Sequence, residues 1–269
     1  MPPVVFRALV LGSHAFSESS EMVKLLTAEY GRITLVAKGL KRPKSRHAGI
    51  LQPLATVEVS GFLRDESAET VLLKEAVFLE ERASLRRDLK RLALGALVAE
   101  TASASCEIGQ ESPELMAVAE ETLAALETCS GEDVQTAAAL GLLKTLAWAG
   151  YEPFLDEALL RPVGGAEKPR AFWMDLSEGR VHLEGRQPAG PIDWPHFPPE
   201  KARQMPLPPE AVRFLYDSHR GMVRSELASL GAAHGAQLID ALARLAAMHL
   251  ETPLHSHRFW RGMEKRSAP

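Results

Sequence analysis

The chain has 269 residues, of which 46% are hydrophobic and 25% are charged, so it can form one large core or two ordinary ones. Its formal net charge of −4 argues by itself against a nucleic-acid-binding protein. However, residues 1–91 contain 15 Lys and Arg against 11 Asp and Glu, whereas the remainder carries a balance of −8. This asymmetry predicts a basic surface on the N-terminal part of the chain.

The two cysteines, Cys106 and Cys129, are too few for a disulfide framework or a thiolate zinc site. The N-terminus has no basic region followed by a long apolar stretch, so it does not resemble a signal peptide. No run approaches the roughly 18 apolar residues of a membrane-spanning helix. We therefore expect a cytoplasmic protein with no membrane partner.

Residues 4–79 show the pattern of short strands separated by turns. The predicted strands cover residues 4–11, 22–28, 33–37, 56–63 and 70–78, with turns at 29–32 and 65–67. Five short strands in such a segment predict a small, partly open barrel of the OB type. An SH3-like barrel would give nearly the same pattern.

After Phe78 the apolar side chains follow a helical period. The predicted helices cover residues 80–106, a segment opening at Ser112-Pro113, residues 132–149, a segment opening at Pro209, and residues 223–231 and 236–250. Between them, residues 151–208 contain ten of the 18 prolines and a predicted hairpin at 172–183. We therefore predict an all-β OB-fold domain over 1–79 and an α-helical domain over 80–269, with an irregular lobe inserted at 151–208.

The strongest local signal is the basic segment, residues 32–46. It holds six cations and lies in a stretch without any carboxylate between Tyr30 and Val57. These cations are Arg32, Lys38, Lys41, Arg42, Lys44 and Arg46. Because Pro43 and Ser45 favour an extended or mobile chain, we expect a flexible basic loop at the barrel rim, which suits contacts to phosphates. An ordinary solvated loop would have the same composition.

A second basic run follows the predicted barrel and consists of Arg82, Arg86, Arg87, Lys90 and Arg91. On one continuous helix, Arg82, Arg86 and Lys90 would share a face, opposite Leu85, Leu89 and Leu92. That face would extend the same nucleic-acid footprint, with Arg86 and Lys90 as outer support. A plain solvent-exposed face is the alternative interpretation.

Other chemistry has little support in the sequence. There is no Walker loop, no G-x-G-x-x-G and no G-x-S-x-G, so neither nucleotide binding nor nucleophilic catalysis is indicated. The pair His255 and His257 lacks a complete set of metal ligands, and we expect no cofactor and no enzyme activity. Aromatic residues suited to base stacking are few, namely Phe16, Tyr30 and Phe62, and each fits a barrel core equally well.

Several strings, in this order, resemble the bacterial recombination mediator RecO family. In the barrel they are ALVL at 8–11, FSESS at 16–20, LTAEYGR at 26–32, LVAKG at 35–39 and GILQPL at 49–54. Further on, YEPFLD at 151–156 is similar to the turn after the family's central helix, and TPLHSHRF at 252–259 to its final helical turn. The resemblance extends along the chain and is most specific in the barrel.

This resemblance implies a non-enzymatic mediator of recombinational DNA repair. It implies binding of single- and double-stranded DNA, strand annealing, and loading of recombinase. The implied partners are RecR, the C-terminal tail of single-strand-binding protein, and RecF, and the implied location is the nucleoid. The alternative from another class is an OB-fold adaptor that binds proteins and not DNA.

The lobe departs from the family pattern. Many RecO members carry a four-cysteine zinc site after the string that corresponds to YEPFLD. Here the first pair of positions aligns with Ala158 and Arg161, and the later pair falls near His182 and Gly185. Since no thiolate is present, we predict a degenerate, metal-free version of this zinc-ribbon-like lobe. Its packing is expected around Phe172, Trp173, Leu176 and Val181.

Overall fold

The computed structural model describes residues 2–42, 45–64, 69–131, 133–156, 171–184, 203–219 and 230–267. It divides into two compact units, Met1–Thr128 and Cys129–Pro269. The N-terminal unit begins with a β domain that is followed by helices. Among the described residues, no helix is both long and apolar enough to cross a membrane.

Five strands of the N-terminal unit close into a barrel in the order β1-β2-β3-β5-β4. Their bounds are β1 (Pro3–Ala15), β2 (Glu21–Thr27), β3 (Gly31–Ala37), β4 (Thr56–Leu63) and β5 (Thr70–Glu80). β1 pairs antiparallel with both β2 and β4, and closure comes from parallel pairing of β3 with β5 over three residues of each strand. All five predicted strands are confirmed.

The barrel core follows the alternation of each strand. In β3, Ile33, Leu35 and Ala37 are buried in the core, while Arg32 and Thr34 on the alternate positions are half-buried and only Val36 departs from the alternation, at 4% exposed. Burial of one large aliphatic side chain contributes roughly 1.5–3 kcal/mol, so this core supplies the main stabilisation of the barrel. Leu40 and Leu51, which flank the basic segment's turns, belong to the same core.

Three helices complete the N-terminal unit: α1 (Ala83–Arg87), α2 (Leu89–Ser105) and α3 (Pro113–Thr128). The prediction of one continuous helix over 80–106 is wrong. The chain leaves the helical conformation at Asp88 (φ −112°, ψ 112°), whose carboxylate accepts hydrogen bonds from the amides of Lys90 and Arg91 and so caps α2. As a result Leu89, expected on the apolar face, is 54% exposed. The predicted domain boundary at residue 79 stays a prediction.

The C-terminal unit combines helices with a small sheet. Its elements are α4 (Val134–Trp148), β6 (Ala171–Asp175), β7 (Arg180–Glu184), β8 (Gln204–Leu207), α5 (Pro209–His219), α6 (Gly231–His249) and α7 (His255–Ser267). The predicted hairpin is confirmed as β6 and β7, and β8, which was not predicted, pairs with the other edge of β6. The helix predicted over 223–231 falls almost entirely outside the described residues.

The small sheet buries the side chains that the sequence indicated. Phe172, Leu176 and Val181 are each at most 4% exposed, whereas Trp173 is half-buried. Met174, which alternates with Phe172 along β6, is fully buried. Of the positions aligned with the family's zinc ligands, Ala158, Arg161 and Gly185 lie outside the described residues.

Candidate nucleic-acid interface

The basic loop, residues 38–46, begins where β3 ends and is held at both ends by the barrel. Leu40 is 5% exposed and Leu51 is 6% exposed, and both side chains pack in the barrel core. Lys41, Arg42 and Arg46 therefore lie between two residues that are anchored in the barrel core, and Lys38 lies just before the first of them.

Backbone hydrogen bonds shape the described part of this loop into turns. Gly39 has φ +70°, a conformation that glycine adopts without strain, and its carbonyl accepts from the amide of Arg42 at 3.1 Å. The carbonyl of Arg42 in turn accepts from the amide of Ser45 at 2.9 Å. Pro43 and Lys44 lie outside the described residues. Where the loop is described, turns replace the extended chain expected from the sequence, and the expected mobility stays a prediction.

Four cations of the basic loop are exposed to solvent: Lys38, Lys41, Arg42 and Arg46. Within the described ranges, none of the four takes part in an ion pair. Two carboxylates lie on neighbouring segments: Glu18 in the adjacent turn, and Glu21, which pairs in register with Ala37. Four cations without a carboxylate partner create a positive potential that attracts phosphates.

Arg32 lies elsewhere. It is the second residue of β3, about 20 Å from Lys38 along the strand, and its side chain is half-buried. Burial raises the pKa of the Cys106 thiol, while the positive charge of Arg32 acts against that rise, so the two side chains are close. Whether Arg32 contacts phosphate remains a prediction, but it is separate from the basic loop.

Two arginines near α1, Arg82 and Arg86, bind acceptors of the protein itself. Arg82 precedes α1, is 6% exposed, and donates through one guanidinium nitrogen to the carbonyl of Leu54 at 3.2 Å and to Thr56 Oγ1 at 2.6 Å. Arg86 donates to the carbonyl of Glu81 at 2.5 Å, and lies 3.5 Å from the Glu81 carboxylate. Because of the break at Asp88, the expected shared face of Arg82, Arg86 and Lys90 does not form.

Arg82 belongs to a polar network that joins the barrel to α3. Thr56 donates to Glu120 Oε1 at 2.9 Å, and the same oxygen accepts from Arg7 Nε and a second Arg7 nitrogen at 3.0 and 2.8 Å. Burial lowers the pKa of Arg82, and the nearby negative charges, chiefly Glu120, act in the opposite direction. Arg82 also holds Leu54, whose φ of +66° is unusual for a residue with a side chain. The network therefore fixes the backbone just after the basic segment.

The described residues contain no group of three or more His, Cys, Asp or Glu side chains placed to hold a metal ion. His257 Nε2 lies 2.7 Å from Asp240 Oδ1, and His249 Nε2 lies 2.9 Å from the carbonyl of Leu176. Both histidines are thus engaged in hydrogen bonds within the C-terminal unit.

Comparison with known families settles the classification. A model described as recombination protein O N terminal matches residues 1–79, and one described as recombination protein O C terminal matches residues 86–160. The chain belongs to the RecO family. The family resemblance expected from the strings in the barrel is thereby confirmed.

Curated relatives named DNA repair protein RecO support this membership. The protein of Syntrophobacter fumaroxidans is 32% identical over 55% of this chain and 58% of its own length. That of Myxococcus xanthus is 31% identical over 61% of this chain and 65% of its own length. The protein of Salinibacter ruber is 28% identical over 69% of both chains. The chain spans about three fifths of the length of the first two relatives.

Sequence reasoning missed two features of the site. One is the serine-rich turn at 16–20, whose backbone contacts the basic loop: the amide of Lys41 donates to the carbonyl of Ser19 at 3.1 Å. The other is the internal role of Arg82. The run FSESS was visible in the sequence as a signal, but the partner of Arg82 was not, because Leu54 lies 28 residues away.

Proposed function

We propose that the chain is a recombination mediator that binds single- and double-stranded DNA, promotes strand annealing and helps to load recombinase in recombinational DNA repair. The observation that supports DNA binding is the set of four exposed cations in the basic loop without an ion-pair partner among the described residues. The strand order, with parallel closure between β3 and β5, fits an OB-fold barrel, a fold that commonly binds oligonucleotides. Relatives named as DNA repair proteins supply the cellular process.

Annealing of this kind needs no bond chemistry. Two phosphate backbones repel each other, and cations between them lower that repulsion while base pairing selects the matching strand. Lys38, Lys41, Arg42 and Arg46 would contact phosphates directly, and Lys44 belongs to the same proposal. Arg32 and Lys90 would act as outer support, whereas the contacts of Arg86 favour an internal role. The proposed function therefore involves no enzyme activity.

The proposal includes protein partners. A mediator must act on single strands that are already coated, so we propose interactions with RecR, with the C-terminal tail of single-strand-binding protein, and with RecF. We place this activity in the cytoplasm, at the nucleoid. Family membership supports these partners, and they are testable by binding assays with each purified protein.

A second candidate function is a protein-binding adaptor without DNA contact. Three apolar side chains on the neighbouring strands β1, β4 and β5 favour it: Val5 is 66% exposed, Phe62 is 37% exposed and Val77 is 43% exposed. Exposed apolar residues can mark a protein interface. Salt separates the two functions, because phosphate binding weakens steeply with salt whereas an apolar contact does not.

The decisive experiment replaces Lys41, Arg42 and Arg46 together by Ala and measures DNA affinity and annealing. We expect a large loss of annealing. The salt slope, which is the slope of the logarithm of the binding constant against the logarithm of the salt concentration, should become shallower by about two units, since each phosphate contact on a single strand contributes roughly 0.7. Circular dichroism should be unchanged because all three side chains are exposed.

A matched control removes three other exposed cations of the barrel unit, Lys24, Arg64 and Lys74, by the same substitution. The control has the same net charge as the loop variant, so equal losses would mean that only overall charge matters and the loop is not the site. A wild-type affinity independent of salt would favour the adaptor. Strand cleavage in the presence of Mg²⁺ or Mn²⁺ would contradict the absence of enzyme activity.

A further inference from the structure

Phe16 occupies the turn between β1 and β2, and its side chain is 57% exposed. The turn is tightly bonded. The carbonyl of Ser20 accepts from the amides of Phe16 at 3.0 Å and Ser17 at 3.2 Å, and Ser17 Oγ accepts from the amide of Ser20 at 3.2 Å. The exposed aromatic ring therefore stands on a well-defined backbone.

This turn is joined to the basic loop by two hydrogen bonds. The amide of Gly39 donates to Ser20 Oγ at 3.4 Å, and the amide of Lys41 donates to the carbonyl of Ser19 at 3.1 Å. Ser20 is itself 8% exposed, so its hydrogen bond with the amide of Gly39 is largely shielded from water. A large aromatic ring and the loop's cations thus share one continuous, hydrogen-bonded rim of the barrel.

We propose that Phe16 stacks on an unpaired base of a strand bound at the basic loop, and that this contact makes the site prefer single strands to duplex. The inference rests on the proposed DNA binding by the basic loop. Sites for single-stranded nucleic acid combine cations that follow the backbone with aromatic side chains that stack on bases. In a duplex each base face is already covered by its neighbours, so Phe16 has no base to contact and only the cations act.

The other aromatic candidates in the barrel do not share this position. Tyr30 is half-buried and packs edge-to-face against the ring of Phe6, with centroids 5.6 Å apart, so it serves the core. Phe62 is 37% exposed, but it lies in β4, in register with Pro3 of β1 and Leu72 of β5. In the described ranges no hydrogen bond joins Phe62 to the basic loop, which makes Phe62 a matched control.

The test compares Phe16→Ala with Phe62→Ala in the full chain by fluorescence anisotropy, using a short oligothymidine and a duplex hairpin. Loss of one base stack weakens binding by about fivefold or more. We expect Phe16→Ala to lose that factor on the single strand, and less than about twofold on the duplex, while Phe62→Ala changes neither. The salt slope should stay at the wild-type value because no charge is removed.

Two further measurements address the stacking itself. Phe16→Trp should retain binding, and its fluorescence should be quenched by the oligothymidine and not by an abasic strand of the same length. The abasic strand should bind wild type and Phe16→Ala equally, since it offers phosphates without bases.

The inference is overturned if Phe16→Ala binds oligothymidine like wild type, or if it loses equally on single strand, duplex and abasic strand. If the variant with Lys41, Arg42 and Arg46 replaced by Ala (the triple variant) still loses DNA affinity in those outcomes, the proposed function survives. If the triple variant binds DNA like wild type, the proposed function fails, and the role of Phe16 fails with it.

Discussion

Cations of the same type have different surroundings in two regions of the N-terminal unit. In the basic loop, Lys41 and Arg42 are exposed, and the described residues offer them no ion pair. Around α1, Arg82 and Arg86 donate to main-chain carbonyls and lie next to Thr56 and Glu81. The local density of positive charge is similar in both, so density alone does not identify a nucleic-acid site. What differs is whether acceptors of the protein itself lie within reach.

The cause of this difference is partly local. No carboxylate occurs between Tyr30 and Val57, whereas Glu80 and Glu81 directly precede the second run and Asp88 lies within it. Carboxylates are therefore within reach of the second run, where Arg86 pairs with Glu81 and Arg91 with Asp88. The following substitutions test that distinction, beginning with the largest expected effect.

The C-terminal unit contains a more deeply buried example of cations that bind acceptors of the protein. Asp240 is 6% exposed, and its two carboxylate oxygens lie 3.2 Å from Arg244 Nε, 3.1 Å from Arg261 Nε and 2.7 Å from His257 Nε2. Replacing Asp240 by Ala leaves these cations without their shared carboxylate, so we expect a loss of about 3–5 kcal/mol in unfolding free energy. Urea denaturation followed by fluorescence of the buried Trp260 measures it.

The matched control is Asp217→Ala, which removes another i,i+4 partner of an arginine. The Arg213 side chain of that pair is 74% exposed, so the expected loss is about 1 kcal/mol or less. Equal losses for the two variants would mean that burial does not distinguish internal pairs from surface pairs.

The same carboxylate predicts how stability depends on pH. Burial acts to raise the pKa of Asp240, but the hydrogen bond from His257 and the charges of His257, Arg244 and Arg261 outweigh it, so the pKa lies below its ordinary value. The stabilisation is therefore complete above about pH 4, the pKa range of an unfolded Asp, and is lost as the pH falls through the lowered pKa. The difference between wild type and Asp240→Ala should be present at neutral pH and shrink in acid.

Arg82→Ala tests whether the second basic run serves the fold. It removes the donor to the Leu54 carbonyl and to Thr56 Oγ1, so we expect about 2–3 kcal/mol of destabilisation. Arg87 is an exposed arginine of the adjoining helix α1, and Arg87→Ala should stay within about 0.5 kcal/mol of wild type. Under native conditions the salt slope of DNA binding should be unchanged for Arg82→Ala. A reduced slope with unchanged stability would reverse the roles assigned to the two regions.

Glu18→Gln has the smallest expected effect. It tests whether a neighbouring carboxylate weakens the attraction between the loop cations and DNA. Glu18 is exposed in the turn bonded to the basic loop, so its removal should strengthen DNA binding by about twofold at low salt. The gain should vanish at high salt because the charges are screened. Glu75→Gln, an exposed carboxylate of β5, is the control and should change affinity less. A gain that persists at high salt would indicate a local rearrangement of the turn.

Local pattern was sufficient for much of the fold. The alternation in β3 and the helical period in α4 each depend on neighbouring residues, and the corresponding predictions are confirmed. The break at Asp88 and the strand β8 were missed for different reasons. Asp88 competes with the helix through its own side chain, a local effect that the apolar period hides. β8 is only four residues long and forms by pairing with β6, about 30 residues away in the chain.

The features of the candidate site likewise fall into those that the sequence predicted and those that only the structure showed. Sequence by itself determined the barrel's strands, the carboxylate-free basic segment and the family, because strand period, charge spacing and short strings are properties of consecutive residues. Only the tertiary structure decided which cations are free. In the fold, Arg82 donates a hydrogen bond to the carbonyl of Leu54, and the amide of Lys41 donates one to the turn that carries Phe16. Arg32 is separated from the loop by the length of β3. The hydrogen bonds link residues that are far apart in the chain. A local sequence pattern does not indicate which distant residues come into contact when the chain folds.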